Sequence, residues 1–192
     1  GAWLLRDVQG LWGAYAGAGC ALALWAWHEM SFLFGYITGP NRSACPEGAA
    51  GWPRFKAAAG TLIHHELALA ATVVLLGVIS LGAGNMVCFF TFTLLFALRL
   101  SSKFNLFMGA PHFTDHFLPG RLAHLNSYFS QKPAGAFFAA TTLMITALAG
   151  ALLWAAAGAD TAFAAASLAL LCALAALGAI EHLFLALPLP DA

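Results

Sequence analysis

The chain alternates long apolar runs with short breaks rich in glycine, proline and polar residues. Five runs can be drawn, approximately from Leu11 to Phe34, Ala57 to Leu81, Met86 to Met108, Ala136 to Gly158 and Thr161 to Leu187. Crossing about 30 Å of hydrocarbon at 1.5 Å per residue takes roughly 20 residues, so each run is predicted to be a transmembrane helix. The punctuation agrees: Gly39-Pro40-Asn41 and Cys45-Pro46-Glu47-Gly48 follow the first run, Gly82-Ala83-Gly84-Asn85 the second, and Gly158-Ala159-Asp160 precedes the last. The segment from Ala110 to Gly135 mixes Phe, Leu and Tyr with His, Arg and Lys, which predicts an interfacial loop or short amphipathic helix lying on the membrane. The predicted fold is all-α, a polytopic transmembrane helix bundle of about five spans forming one domain over residues 1–192.

Charge then orients the bundle. With five crossings, the loop from Gly35 to Lys56, the loop from Ala110 to Gly135 and the carboxyl end share one side. That side holds Arg42, Arg54, Lys56, Arg121 and Lys132, whereas the other holds only Arg6. The positive-inside rule makes the basic side cytoplasmic, and Tyr36, Trp52, Phe55 and Tyr128 are predicted to form an aromatic belt there. Only 8% of the 192 residues are charged and 61% are hydrophobic, too few charges to cover a water-soluble fold of this size. Eight basic residues balance eight acidic ones, so nucleic-acid binding is excluded for want of a basic field. Cys20, Cys45, Cys88 and Cys172 form no C-x-x-C pair and read as reduced packing residues. Small residues in the last two runs, as in Ala155-Ala156-Ala157-Gly158 and Ala164-Ala165-Ala166-Ser167, predict close helix packing. The chain begins at Gly1 rather than methionine, the expectation being a processed chain or part of a longer one.

Sorting the ionisable residues by depth reveals a layer. His28 and Glu29 lie near the end of the first run, and His64, His65 and Glu66 near the start of the second. Arg99 and Lys103, four apart on one face, precede Asn105 near the end of the third, and Glu181 and His182 lie near the end of the fifth. All fall roughly 6 to 15 Å inside the cytoplasmic boundary at 1.5 Å per residue. Charges at that depth are costly and normally face the bundle interior, paired with one another.

Three readings compete for this layer. In a structural network, Arg99 and Lys103 neutralise two of the three glutamates while histidines and Asn105 complete the hydrogen bonds. In a metal site, Glu29, His65, Glu66, Glu181 and His182 supply the carboxylates and imidazoles of a transition-metal, di-iron-like centre. The pairs are His-Glu, His-His-Glu and Glu-His rather than the Glu-x-x-His of carboxylate-bridged bundles, however, and neighbours on a helix point about 100 degrees apart. In the third reading one imidazole ligates a tetrapyrrole, with Trp25, Trp27, Phe32 and Phe34 around His28, or Gly60 and Ala68 flanking His64. The zinc-protease pattern H-E-x-x-H is absent, because Met30-Ser31-Phe32 follows His28-Glu29 and Leu67-Ala68-Leu69 follows His65-Glu66. In the second basic loop His112 and His116, followed by Arg121 and His124, form either a solvated face or a lid with extra ligands. No catalytic residue is assigned.

Longer strings carry a resemblance. Trp25-Ala26-Trp27-His28-Glu29-Met30-Ser31-Phe32-Leu33, Thr38-Gly39-Pro40, Cys45-Pro46, His64-His65-Glu66-Leu67, Arg99-Leu100-Ser101-Ser102-Lys103-Phe104-Asn105-Leu106-Phe107, Phe117-Leu118-Pro119, Ser127-Tyr128-Phe129, Glu181-His182-Leu183-Phe184 and Leu187-Pro188-Leu189-Pro190 occur in order from about Trp12 onward. In these the chain resembles the photosynthetic complex assembly proteins of the PuhE type. The resemblance implies a multi-pass protein of the inner, photosynthetic membrane of phototrophic bacteria, tied to reaction-centre and light-harvesting assembly and to bacteriochlorophyll supply. It also implies a longer chain, with hydrophobic sequence ahead of Gly1, and it brings no catalytic mechanism. The function expected from it is that of an assembly factor whose partners are the lipid bilayer and reaction-centre or antenna subunits. Its candidate cofactors are bacteriochlorophyll or iron. A metal-dependent oxidoreductase acting on a pigment or isoprenoid precursor, and a structural subunit of a photosynthetic assembly, are the alternatives.

Overall fold

A computed structural model describes residues 1–111 and 119–187. Among them every regular element is helical: α1 (Ala2–Leu5), α2 (Leu11–Leu33), α3 (Gly51–Ala59), α4 (Ile63–Ile79), α5 (Val87–Met108), α6 (Ala136–Ala157) and α7 (Ala162–Ala186), with a 3-10 helix (Gly120–Tyr128) between α5 and α6. The predicted all-α bundle is what forms. The chain enters α2 through Gly10 at φ 93°, a left-handed conformation that favours glycine. Thr161 caps α7, its hydroxyl oxygen accepting from Ala164 N at 3.1 Å.

The two ends of the bundle are tied differently. At one end Asn85, between α4 and α5, bonds to Val8 O and Gly13 O, and Arg6 donates to Leu81 O. At the other, Arg121 donates to Phe34 O, and Arg54 donates to Phe107 O and Tyr128 O. Helices α2 and α5 therefore run in the same direction and α4 returns between those ends. Gly13, Ala14, Gly17, Ala18 and Ala21 line the buried side of α2. A Cβ at Gly17 would sit 3.0 Å from Val87 Cβ, so the absence of a side chain there is what lets α2 and α5 approach. Deeper in, Ala21, Leu69, Leu76, Cys88 and Phe92 form the main core, with Trp25 edge-on to Phe92 at 5.6 Å. Helices α6 and α7 pair closely enough for Cys172 Sγ to reach Ala149 O at 3.3 Å. All four cysteines are free.

Three helices, α5, α6 and α7, are each long and apolar enough to cross a membrane, and α3 with α4 would make a fourth if the bent pair is one span. The exposed Leu143, Met144, Leu153 and Trp154 of α6 suit a lipid surround. The count falls short of the five expected for two reasons. Helix α2 starts where expected and ends one residue earlier, at Leu33, but its glycines and tryptophans and His28-Glu29 dilute its apolarity. The second run is not one helix, because α3 and α4 meet at 69°.

That bend is made by a neighbouring loop. Asn41 N donates to Gly60 O at 2.9 Å and Asn41 Nδ2 to Ala57 O at 2.9 Å, occupying carbonyls at the end of α3. Thr38 O accepts from His64 N and His65 N at 3.0 and 3.1 Å, satisfying amides at the start of α4. Gly39 lies between, and a Cβ on it would collide with backbone atoms of Gly60, Thr61 and Leu62. Gly39→Ala is expected to lower stability by about 1–3 kcal/mol, the usual cost of overpacking. Thermal unfolding in detergent measures it, and an unchanged midpoint would show that the bend has room to spare.

Within the segment expected to lie on the membrane, the 3-10 helix packs on the end of the bundle. In a 3-10 helix side chains three apart share a face, and Leu122, Leu125 and Tyr128 are the buried ones. The two leucines pack on Phe32, with Leu33, Leu62 and Phe129 around them, so that apolar face is taken up by protein rather than lipid. Tyr128 likewise leaves the expected aromatic belt. It is 3% exposed, and its hydroxyl donates to Ser43 O and accepts from Asn41 Nδ2. Tyr36 and Trp52 remain exposed, and Phe55 is half-buried, stacked on Trp52 at 5.1 Å.

Candidate functional site: an ionisable layer inside the bundle

His28 and Glu29 are consecutive, so helix geometry turns them to different neighbours. His28 is buried with Nε2 2.9 Å from Thr72 Oγ1 of α4. The Thr72 hydroxyl already donates to Ala68 O, so it accepts from His28, which assigns the proton to Nε2. Glu29 points the other way, with Oε1 3.5 Å from His65 Nε2 and Oε2 3.6 Å from Arg99 Nη2. His65 is 0% exposed and lies over the Phe32 ring at 4.7 Å.

Arg99, from α5, bridges two carboxylates, its Nη1 lying 3.8 Å from Glu181 Oε1 of α7. Ser102 donates to the same Glu181 oxygen at 3.0 Å. His182 is fully buried; its Nδ1 donates to Gly178 O at 2.8 Å, so Nε2 accepts from the Ser101 hydroxyl at 2.9 Å. Asn105 Nδ2 donates to Ser101 O and to Thr141 Oγ1, which ties α6 to the layer. Lys103 donates to Glu66 at 2.5 Å, both side chains being mostly buried.

Three carboxylates, Glu29, Glu66 and Glu181, thus face two basic side chains, Arg99 and Lys103. His65, Glu29, Arg99, Glu181 and Ser102 form a continuous polar chain, with Lys103–Glu66 as a separate pair. Several buried atoms, including both His65 nitrogens, His28 Nδ1 and Arg99 Nε, have no hydrogen-bond partner among the described residues. Such groups are costly to leave unsatisfied and mark the layer as a place where a polar ligand or water gains most.

Of the ten residues singled out from sequence, the structure brings His28, Glu29, His65, Glu66, Arg99, Lys103, Asn105 and His182 together in this layer, with Glu181 at its exposed edge. His64 is exposed on the outer face of α4. The five candidate metal ligands do not form one constellation. Glu66 is held by Lys103, Glu181 by Arg99 and Ser102, and His182 by Ser101 and Gly178 O. Among the described residues no three His, Cys, Asp or Glu side chains come together as a metal site. The space expected beside His28 for a flat macrocycle is also filled, because Trp27 and Phe92 lie edge-on to the imidazole at 4.9 and 5.9 Å. His64 is the imidazole of this set that faces outward. His112 and His116 lie outside the described residues. Arg121 and His124 line a separate cavity with Arg42.

Thr72, Ser101, Ser102 and Thr141 complete the network and were not anticipated. A hydroxyl in a helix bonds its own backbone so readily that it carries little signal, although two serines between Arg99 and Lys103 were a usable one.

The layer opens sideways. Between α2, α5 and α7 a cavity of about 420 Å³ is walled by Leu95, Leu98, Leu174 and Leu177 and floored by Glu29, Arg99 and Glu181. Leu98 packs so closely on Gly178 that a Cβ there would overlap it. A second cavity, about 240 Å³, lies between α3, α4 and α5, where Phe55, Phe104 and Phe107 surround the Lys103–Glu66 pair. The first combines an apolar wall with a charged floor, whereas the second is apolar almost throughout.

An uncharacterised 30.4 kDa protein in the puhA 5′ region of Rhodobacter capsulatus is 37% identical over 185 residues, which are 96% of this chain and 68% of that protein. No solved structure matches the chain. A family profile described as protein of unknown function (DUF3623) matches residues 2–192, and the chain belongs to that family.

Proposed function

We propose that this chain is a biogenesis factor for a bacterial photosynthetic complex, and that it handles bacteriochlorophyll at the leucine-walled cavity over Arg99. One observation carries the setting: the relative from the puhA 5′ region matches 96% of the chain. The strings that resemble PuhE-type assembly proteins point the same way, and they include Glu29, His65, Glu66, Arg99, Lys103 and Glu181.

The geometry supplies the chemistry. Leu95, Leu98, Leu174 and Leu177 suit a prenyl tail, while the Arg99 guanidinium at the floor supplies donors for ring carbonyls. In this reading the basic end, with Arg42, Arg54 and Arg121, faces the cytoplasm of the photosynthetic membrane, and reaction-centre or antenna subunits are the partners. The alternative of a metal-dependent oxidoreductase lacks a comparable support, since the candidate ligands are engaged separately by Lys103, Arg99 and serine hydroxyls.

The test is gentle detergent extraction of the full chain from a phototrophic host, followed by absorption spectroscopy. Bacteriochlorophyll is expected to co-purify and to fall at least tenfold with Arg99→Leu. Protein that never retains pigment or photosynthetic subunits would overturn the reading. Co-purification at fixed stoichiometry without loosely held pigment would turn it into that of a structural subunit.

A further inference from the structure

At the basic end, a cavity of about 300 Å³ is lined by Gly35, Thr38, Arg42, Arg121, Leu122 and His124. No carboxylate lines it among the described residues, although the chain as a whole has as many acidic as basic groups. Arg42 makes no hydrogen bond or ion pair among the described residues. Arg121 donates from Nη1 to Phe34 O, which fixes the guanidinium and leaves its other donors free. His124 Nε2 is buried without a hydrogen-bond partner among the described residues. Two guanidinium groups and an imidazole around one hollow are the donor set that an anion would need.

Arg121 also borders a second cavity, about 690 Å³, lined by Met30, Leu33, Phe34, Tyr36 and Pro119. That cavity follows the outer face of α2, where Met30 and Phe34 are 47% and 51% exposed. One arginine therefore joins a basic hollow at the helix ends to an apolar groove running along a helix. We propose that the two cavities together bind an anionic phospholipid, its phosphodiester held by Arg42, Arg121 and His124 and one acyl chain lying along Met30, Leu33 and Phe34. This goes beyond the proposed handling of pigment, which uses a different cavity and different residues. Basic pockets at helix ends are recognised seats for anionic headgroups, whereas a zwitterionic lipid brings a positive charge that the arginines repel.

Native mass spectrometry of the full chain in detergent tests this with dioleoyl phosphatidylglycerol, dioleoyl phosphatidylcholine and sodium phosphate as probes. Phosphatidylglycerol is expected to remain bound while phosphatidylcholine dissociates. Arg42→Gln and Arg121→Gln are each expected to weaken retention about fivefold, and the pair about 25-fold. Met30→Asn is expected to weaken lipid retention without changing the response to phosphate. Equal retention of the two lipids, or full retention by the folded Arg42→Gln variant, would overturn the proposal. Complete displacement of phosphatidylglycerol by millimolar phosphate would reassign the hollow to a soluble anion and overturn it too. Arg42 is exposed and bonds to nothing described, so its variant keeps the test decisive even if Arg121→Gln fails to fold.

Discussion

Lys103→Met is expected to destabilise the bundle by about 3–5 kcal/mol, the cost of leaving one member of a buried ion pair alone. Lys103 and Glu66 are 16% and 13% exposed, and Lys103 lies 5.6 Å from the Phe32 ring centre, so little water reaches the carboxylate once the ammonium is gone. Combining Lys103→Met with Glu66→Leu is expected to recover most of the loss, because two apolar side chains of similar volume need no desolvation. Unfolding in mixed detergent micelles, followed by tryptophan fluorescence, of the parent, Lys103→Met, Glu66→Leu and the double variant gives the four free energies of the double-mutant cycle. A double variant as unstable as Lys103→Met alone would mean that Glu66 serves something other than Lys103. Pigment retention in the same double variant separates stability from function, since the pair lies outside the Arg99 cavity.

The second large effect belongs to the opposite end. Asn85 is 5% exposed, and its side chain donates to Val8 O at 2.8 Å and Gly13 O at 2.9 Å while accepting from Val87 N at 3.0 Å. One amide thereby joins the chain ahead of α2, the first turn of α2 and the start of α5. Asn85→Leu removes three hydrogen bonds and strands their buried backbone partners, at an expected cost of about 3 kcal/mol. Asn85→Asp keeps the acceptor for Val87 N but sets carboxylate oxygen against two carbonyls, and is expected to be at least as damaging. Thermal unfolding in detergent measures both. A leucine variant within about 0.5 kcal/mol of the parent would show that water replaces the amide without loss.

Asn85 also illustrates what local pattern conceals. In the sequence it closes Gly82-Ala83-Gly84-Asn85 and reads as loop punctuation, and nothing local distinguishes a turn asparagine from one buried by segments more than 70 positions earlier. The bend between α3 and α4 escaped for a related reason. The run from Ala57 to Leu81 is long and largely apolar, and its break is held by Thr38, Gly39 and Asn41, whose bonds exist only once that loop has docked. The 3-10 helix was readable as amphipathic, but whether lipid or Phe32 would cover Leu122 and Leu125 depended on where the loop returned.

Local pattern was enough for the helical class, for the approximate bounds of α2, α5, α6 and α7, and for the helix ends near which ionisable residues gather. Those follow from hydropathy and from a fixed rise per residue, both of which are local. The pairings came from the packed fold: Lys103 with Glu66, Arg99 with both Glu29 and Glu181, His65 inward and His64 outward. Depth is set along one helix, but a partner is set by the rotation of two helices about their axes. That rotation comes from packing of small residues such as Gly17 and Gly178 against Val87 and Leu98, far apart in the chain.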